Sequence, residues 1–350
     1  MLNTIEKERC YRTFLSEDQV IWAYRIILDR DPESQEAIER HRRHSSLEEL
    51  RSILLNSPEY KEKKEKVFWG ASDLDRFVME VDNNGGPEAP KTKELYRKFR
   101  YISSVSVDSS LDPYSDAYVK QQISLHEEIS NRHLNQHENE QTPFDMDRHI
   151  CAPNPYGRRS VENIGYHISQ LANVMFRSGL ARGTRLLDMG CGWGMTSELF
   201  AFAGMDVTAV DINPRFVELI NRRREKSGLP IKALVGSFEE IPTEGKFDAV
   251  LFYECLHHAV RPWVALNQVQ KLLKPGGKLL LAGEPINNDW PNWGLRLDAR
   301  SVYVMRKHGW FESGWSPKFI RECIERSGFH VTRLSKDPHP VDWIVVAEKI

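Results

Sequence analysis

From Thr184 to the C-terminus, short aliphatic runs alternate with amphipathic stretches, and this alternation limits the possible folds more than any other feature. The strand-like runs are Arg185–Met189, Asp206–Asp211, Ile231–Val235, Phe247–Tyr253, Lys278–Ala282, His330–Leu334 and Trp343–Glu348. Helical segments fit between them at Met195–Ala203, Pro214–Lys226, Pro262–Leu273 and Pro317–Ser327. Repeated strand–helix alternation calls for a parallel sheet covered on both faces. The last two strands are joined around Asp337-Pro338-His339-Pro340. That turn is too short for a parallel crossover, so they pair as a hairpin. The expectation is an α/β fold with a seven-stranded, mostly parallel sheet and one antiparallel strand.

The chain reads as three parts. Residues 1–66 form a small all-helical module, with helix starts at Ser16 (a capping box with Gln19), Asp31-Pro32 and Ser46 (with Glu49), and a stop at Ser57-Pro58. Residues 67–158 are a linker and a helical or irregular lead-in. They hold a turn cluster from Asn83 to Pro90, a serine-rich break from Ser103 to Ser110, and an irregular stretch from Pro143 to Gly157. Residues 159–350 form the main domain, entered through a helix at Val161–Gly179 and carrying an aromatic-rich insertion at 284–315.

Composition excludes several classes. With 40% hydrophobic and 28% charged residues, the 350-residue chain has a globular composition. Lys+Arg 48 against Asp+Glu 50 leaves a net charge of -2, so no basic field advertises nucleic acid. No apolar run is long enough to span a bilayer, and Glu6, Lys7, Glu8 and Arg9 stand where a signal peptide needs an apolar stretch. The cysteines (Cys10, Cys151, Cys191, Cys255, Cys323) are odd in number and scattered, which argues against a disulfide framework and fits a reducing cytoplasm.

The chemistry begins at Leu186-Leu187-Asp188-Met189-Gly190-Cys191-Gly192-Trp193-Gly194, after a strand and before a helix. Its glycines let the backbone turn sharply and let a ligand approach the main chain. A dinucleotide fingerprint needs Gly-x-Gly-x-x-Gly, and position 195 is Met, so that version fails. Asp211 ends the next strand, where an acidic side chain can accept hydrogen bonds from ribose hydroxyls.

In this order the motifs resemble those of the class I S-adenosylmethionine-dependent methyltransferases, over roughly Arg159 to Ile350. The resemblance implies a Rossmann-like fold and S-adenosylmethionine as cofactor. Asp188, Gly190, Cys191, Gly192 and Gly194 would form the turn against the methionine part. Asp211 would hold the ribose, and Ile212 would pack on adenine. Ser237 and Phe238 would border adenine. Many relatives carry Asp where Ser237 stands, so the Phe238 backbone is the substitute partner there. Tyr253 ends the fourth strand beside the cofactor. Leu272-Leu273-Lys274-Pro275-Gly276-Gly277 matches the turn into the fifth strand and is structural. Separately, Tyr24 to Pro32 and Ser46 to Tyr60 resemble a short helical module found beside bacterial glycosyltransferases and glycan-modifying methyltransferases. That implies a glycan-assembly enzyme as partner.

A sulfonium methyl is already activated, so the protein mainly aligns the acceptor. A hydroxyl acceptor benefits from a positioned base. The candidates are His257 first, then Glu254, Glu284 and Asp289; of His257 and His258, only one is expected to face the site. The insertion holds Trp290, Trp293, Trp310 and Trp315, aromatic faces interleaved with charges, which suits a sugar ring. The leading expectation is therefore a cytoplasmic methyltransferase acting on a sugar hydroxyl in polysaccharide biosynthesis. The alternatives are a small-molecule methyltransferase acting on a natural product or lipid quinone, and a non-catalytic cofactor-binding scaffold. His257, Glu254 and Glu284 are metal-ligand types, but no ligand spacing accompanies them and no metal is expected.

Overall fold

The computed structural model describes residues 15–141, 143–151, 161–338 and 341–350. The chain divides into two compact units: residues up to Trp69 with Asn83–Arg100, and Gly70–Asp82 with Tyr101–Ile350. In chain order the early elements are α1 (Glu17–Leu28), α2 (Gln35–Arg42), α3 (Leu47–Asn56), α4 (Pro58–Lys64), β1 (Val67–Trp69), α5 (Leu74–Asn83), α6 (Pro90–Lys98) and β2 (Phe99–Tyr101).

In the first unit Val20, Tyr24 and Leu28 of α1 pack with Ile38, Leu50 and Leu54. Ser16 closes its capping box with Gln19. The second helix starts at Ser34 rather than at Asp31-Pro32, because the Ser34 hydroxyl accepts the Ala37 amide at 3.2 Å. A side-chain acceptor satisfies an orphan helix amide, which proline's fixed φ alone does not. Pro58 likewise opens α4 as well as following the end of α3.

The second unit continues with α7 (Asp116–Ser130), α8 (Gln136–Asn139), α9 (Met146–Ile150) and α10 (Val161–Ser178). Then come β3 (Arg185–Met189), α11 (Met195–Phe202), β4 (Asp206–Asp211), α12 (Pro214–Ser227), β5 (Ile231–Val235), β6 (Phe247–Tyr253), α13 (Pro262–Leu272) and β7 (Leu273–Ala282). The chain closes with β8 (Trp293–Leu295), α14 (Ala299–His308), β9 (Ser313–Trp315), α15 (Pro317–Arg326), β10 (Phe329–Pro338) and β11 (Val341–Lys349). The insertion at 284–315 is thus structured: β8 and β9 form an antiparallel ribbon around α14. The stretch from Pro143 holds the short α9, while its Tyr156, Arg158 and Arg159 end lies outside the described residues.

The main sheet has the order β10-β11-β7-β6-β3-β4-β5. β11 alone runs against its neighbours, pairing antiparallel with β10 and β7. The α/β architecture is therefore the expected seven-stranded one with a single reversed strand. Alternate residues supply the two faces: Ala249 and Leu251 of β6 pack with Leu186, Phe200 and Ile220. Val250 and Phe252 on the opposite face are equally buried. Burial on both faces explains why these strands read as continuous apolar runs. Among the described residues no helix is long and apolar enough to cross a membrane.

Leu251 is fully buried at the centre of the sheet. Leu251→Ala is expected to cost about 2–5 kcal/mol, the usual penalty for an aliphatic core cavity. Urea denaturation measures it; a loss below about 1 kcal/mol would show that β6 is not a core strand.

Candidate functional site

The C-terminal ends of β3, β4 and β6 open onto a cavity of about 590 Å3. That volume is in the range of small-molecule pockets. Its position follows the rule for open parallel sheets, where ligands sit beyond the carboxyl ends of strands.

One end of the cavity is built mostly from main chain. After β3 the glycines adopt positive φ: 64° at Gly190, 46° at Gly192 and 79° at Gly194. A Cβ on Gly190 would stand 2.8 Å from that of Cys255, and one on Gly194 would stand 2.7 Å from Ile220. Both positions therefore exclude side chains on two grounds, conformation and space. Asp211 ties this turn to β4: its Oδ2 accepts the Gly192 amide at 2.8 Å, and its Oδ1 accepts that of Asn213 at 2.8 Å. Each oxygen keeps a lone pair, so the carboxylate can still take ribose hydroxyls. Burial pushes the Asp211 carboxyl up to about 6. Asp188 lies beneath the turn, accepting from the Ser197 hydroxyl at 2.5 Å; burial pushes it up to about 7. Ser237 spends its hydroxyl accepting the Glu240 amide at 3.0 Å, which closes the turn after β5. Cys191 and Cys255 are buried thiols raised well above their ordinary range, so neither is a nucleophile.

Eight expected cofactor residues line the cavity: Gly190, Cys191, Gly192, Asp211, Ile212, Ser237, Phe238 and Tyr253. Asp188 and Gly194 support the turn from behind. Residues 143–151 pack against the lining residues Trp193 and Phe216. Phe144 stacks on Phe216 at 5.1 Å, and the His149 ring lies 4.4 Å from Trp193. Arg215 donates to the Phe144 carbonyl at 2.7 Å.

The other end is made of side chains. Glu254 lines it and has φ 51°, the one non-glycine left-handed residue among those described that is not a helix C-cap. Such a conformation costs about 1–3 kcal/mol and persists only where the surroundings enforce it. The Glu254 amide donates to Ala282 O at 3.0 Å. A Cβ on the adjoining Gly283 would meet the Glu254 Cγ at 2.3 Å. Tyr253 is held by His167 of α10, its hydroxyl 2.7 Å from Nδ1.

Three further expected base candidates are arranged differently. Glu284 is buried and does not line the cavity. Its Oε1 accepts the amides of Cys255 and Leu256 at 3.0 and 2.9 Å, and its Oε2 accepts that of His257 at 3.1 Å. The same Oε2 lies 2.9 Å from His257 Nδ1. His257 is therefore engaged beneath the surface, and Asp289 lies exposed on the loop after β7. His133, His137 and His167 line the cavity, and of the adjacent pair it is His258 that does so. Its Nδ1 lies 3.0 Å from the Phe311 carbonyl. A carbonyl only accepts, so Nδ1 carries the proton and the neutral ring has its lone pair on Nε2. Among the described residues Nε2 has no hydrogen-bond partner.

Glu140, which sequence reasoning did not select, also reaches this end. It follows α8, about 120 residues before His258, and no local pattern marks it. Of the four insertion tryptophans, Trp310 lines the cavity, whereas Trp293 and Trp315 are buried in packing. His257, His258 and Glu312 bring three ligand-type atoms within 4.8 Å. Each is already engaged, by Glu284, by the Phe311 carbonyl and by Arg296 at 3.5 Å, and no metal is assigned.

Known proteins match the same part of the chain. Residues 187–281 match the family model described as a methyltransferase domain. The ubiquinone biosynthesis O-methyltransferase of Xanthomonas axonopodis pv. citri is 41% identical over 102 residues, 29% of this chain and 43% of that protein. The enzyme of the same name from Cereibacter sphaeroides is 32% identical over 171 residues, 46% of this chain and 67% of that protein. The chain otherwise spans about half the length of such relatives, 43% and 48% for the first two. Among solved structures, an S-adenosylmethionine-dependent methyltransferase from Aquifex aeolicus aligns at 18% identity over 59% of this chain and 100% of that one, with a TM-score of 0.44. The chain belongs to the class I S-adenosylmethionine-dependent methyltransferases, whose cofactor is S-adenosylmethionine.

Two outcomes test the geometry. Asp211→Ala is expected to weaken S-adenosylmethionine binding about 10- to 100-fold, the worth of one or two charge-assisted hydrogen bonds. Because the Asp211 carboxyl is raised, wild-type affinity should fall as pH drops through about 6; calorimetry finding equal affinities would remove the ribose role. Glu284→Ala leaves three buried amides without an acceptor, at about 1–3 kcal/mol each. A thermal melt unchanged from wild type would contradict that structural role.

Proposed function

We propose that this chain transfers a methyl group to a hydroxyl of a small acceptor carrying an aromatic or similarly apolar ring. The observation that carries this reading is His258, at the cavity wall with Nδ1 directed to the Phe311 carbonyl, so that in the neutral ring the lone pair falls on Nε2. S-adenosylmethionine, when bound, supplies a methyl already activated by positive sulfur. The residues must then orient the hydroxyl, exclude water and take its proton. His258 Nε2 takes that proton as general base. Tyr253 and Glu254, fixed by His167 and the left-handed turn, border the acceptor. Ile123, Leu134, Val260, Ala265 and Trp310 add apolar walls that suit a flat ring.

The name of the matched relatives supports a small-molecule hydroxyl acceptor. It favours the small-molecule alternative over the sugar hydroxyl placed first by sequence reasoning. The tryptophans that suggested a sugar platform contribute one cavity-lining ring, Trp310.

The test is incubation of the full chain with methyl-labelled S-adenosylmethionine and, in parallel, catechol, a hydroxylated benzoquinone, a methyl glycoside and a nucleotide sugar. Label is expected in the ring hydroxyl acceptors. His258→Ala should lower their turnover about 100-fold or more, the usual worth of a positioned base, with cofactor affinity retained. Label only in the sugars would overturn the acceptor class, and full turnover in His258→Ala would overturn the base.

A further inference from the structure

Glu140 supplies a carboxylate that the steps above leave unused. Its side chain is 14% exposed, and its Oε1 lies 3.8 Å from His258 Nδ1. That oxygen is buried without a hydrogen-bond partner, while the Phe311 backbone N–H reaches the same carboxylate. Phe311 thus lies against both side chains, bonded to His258 through its carbonyl and with its amide near the Glu140 carboxylate. An unpaired buried acceptor costs free energy unless some state of the protein uses it.

We propose that Glu140 is a positioning residue for the transfer, its Oε1 serving as counter-charge to the imidazolium formed when His258 takes the acceptor proton. The proposal rests on the His258 reading above. In that step the acceptor O–H bond breaks and its proton goes to Nε2. The oxygen pair forms the O–CH3 bond, and the S–CH3 pair stays with sulfur. The ring then carries N–H on both nitrogens. Nδ1–H keeps its bond to Phe311 O and faces Glu140, an arrangement in which a fixed anion stabilises the charge as it develops.

The neighbours set the pH range. Burial, with Glu312 and Asp211 nearby, pushes the Glu140 carboxyl up to about 7, against the opposing influence of the His258 charge and the Phe311 amide. Glu312 is itself offset by Arg296 at 3.5 Å, and the His257 ring lies 4.4 Å from that of His258. The counter-charge is therefore present above about 7 and lost on acidification through it.

Wild type and E140Q, both saturated with S-adenosylmethionine, separate the possibilities; calorimetric cofactor affinity shows that E140Q is folded. By NMR, the His258 ring is expected to titrate at lower pH in E140Q than in wild type. With catechol as acceptor, the wild-type to E140Q ratio of kcat should be about tenfold at pH ~8.5 and approach one at pH ~6. An unchanged His258 titration overturns the proposal. A kcat ratio constant with pH does so too, since it marks a purely structural loss. Inactive E140Q beside fully active His258→Ala also overturns it, because the proton would then go to Glu140 directly. A shifted His258 titration without catechol turnover supports the counter-charge and counts against the acceptor reading alone.

Discussion

The site depends on one buried carboxylate, Glu284, which gathers the amides of Cys255, Leu256 and His257 and also meets the His257 ring. Three successive amides pointing at one anion force the chain after β6 into a tight 3-10 turn at Leu256–His258. The turn cannot relax without abandoning buried donors, each a substantial penalty. It follows Glu254, held left-handed against Gly283, and ends at His258, whose ring is carried to the cavity wall. Ser313 fastens the same turn from the insertion by donating to the His257 carbonyl at 2.7 Å. The strain at Glu254 is thus offset by hydrogen bonds that no neighbouring conformation reproduces.

The cofactor end relies on main chain. Positive φ at the glycines, and atoms too close for any Cβ, make the turn a property of backbone rather than of side-chain chemistry. The buried acids beneath it are costly when charged. Asp188 relieves that cost by taking a proton near neutrality and a bond from Ser197, whereas Asp211, with two backbone amides, stays ionised to lower pH. The carboxylate that lines the cavity is thereby the better stabilised of the two.

Legibility in the sequence follows the same division. The bounds of β3, β4, β5 and β6 were readable to the residue, because each is a short, mostly apolar run ended by a glycine or acidic residue. The cofactor turn was readable because glycine at fixed spacing has few other causes. The start of α2 was not, since Pro32 and Ser34 both signal a helix and only the hydroxyl-to-amide bond decides. The adjacent pair His257-His258 was ambiguous for a related reason. A 3-10 turn gives neither strand alternation nor a helical face, so sequence cannot say which ring goes inward. Glu140 carried no signal at all, being an isolated acid after a four-residue helix.

The acceptor end is assembled from segments far apart in the chain: Ile123 on α7, Leu134 and Glu140 around α8, His258 after β6, and Trp310 after α14. The family match runs from 187 to 281 and contains only His258 of these five. The glycine turn, Asp211 and the turn after β6 all lie inside that match. The walls proposed for the acceptor come from both sides of that boundary: Tyr253, Glu254, Val260 and Ala265 lie inside the match, and Ile123, Leu134 and Trp310 outside it. A change at Leu134 or Trp310 alters the shape of the acceptor end without touching a backbone atom of the cofactor turn.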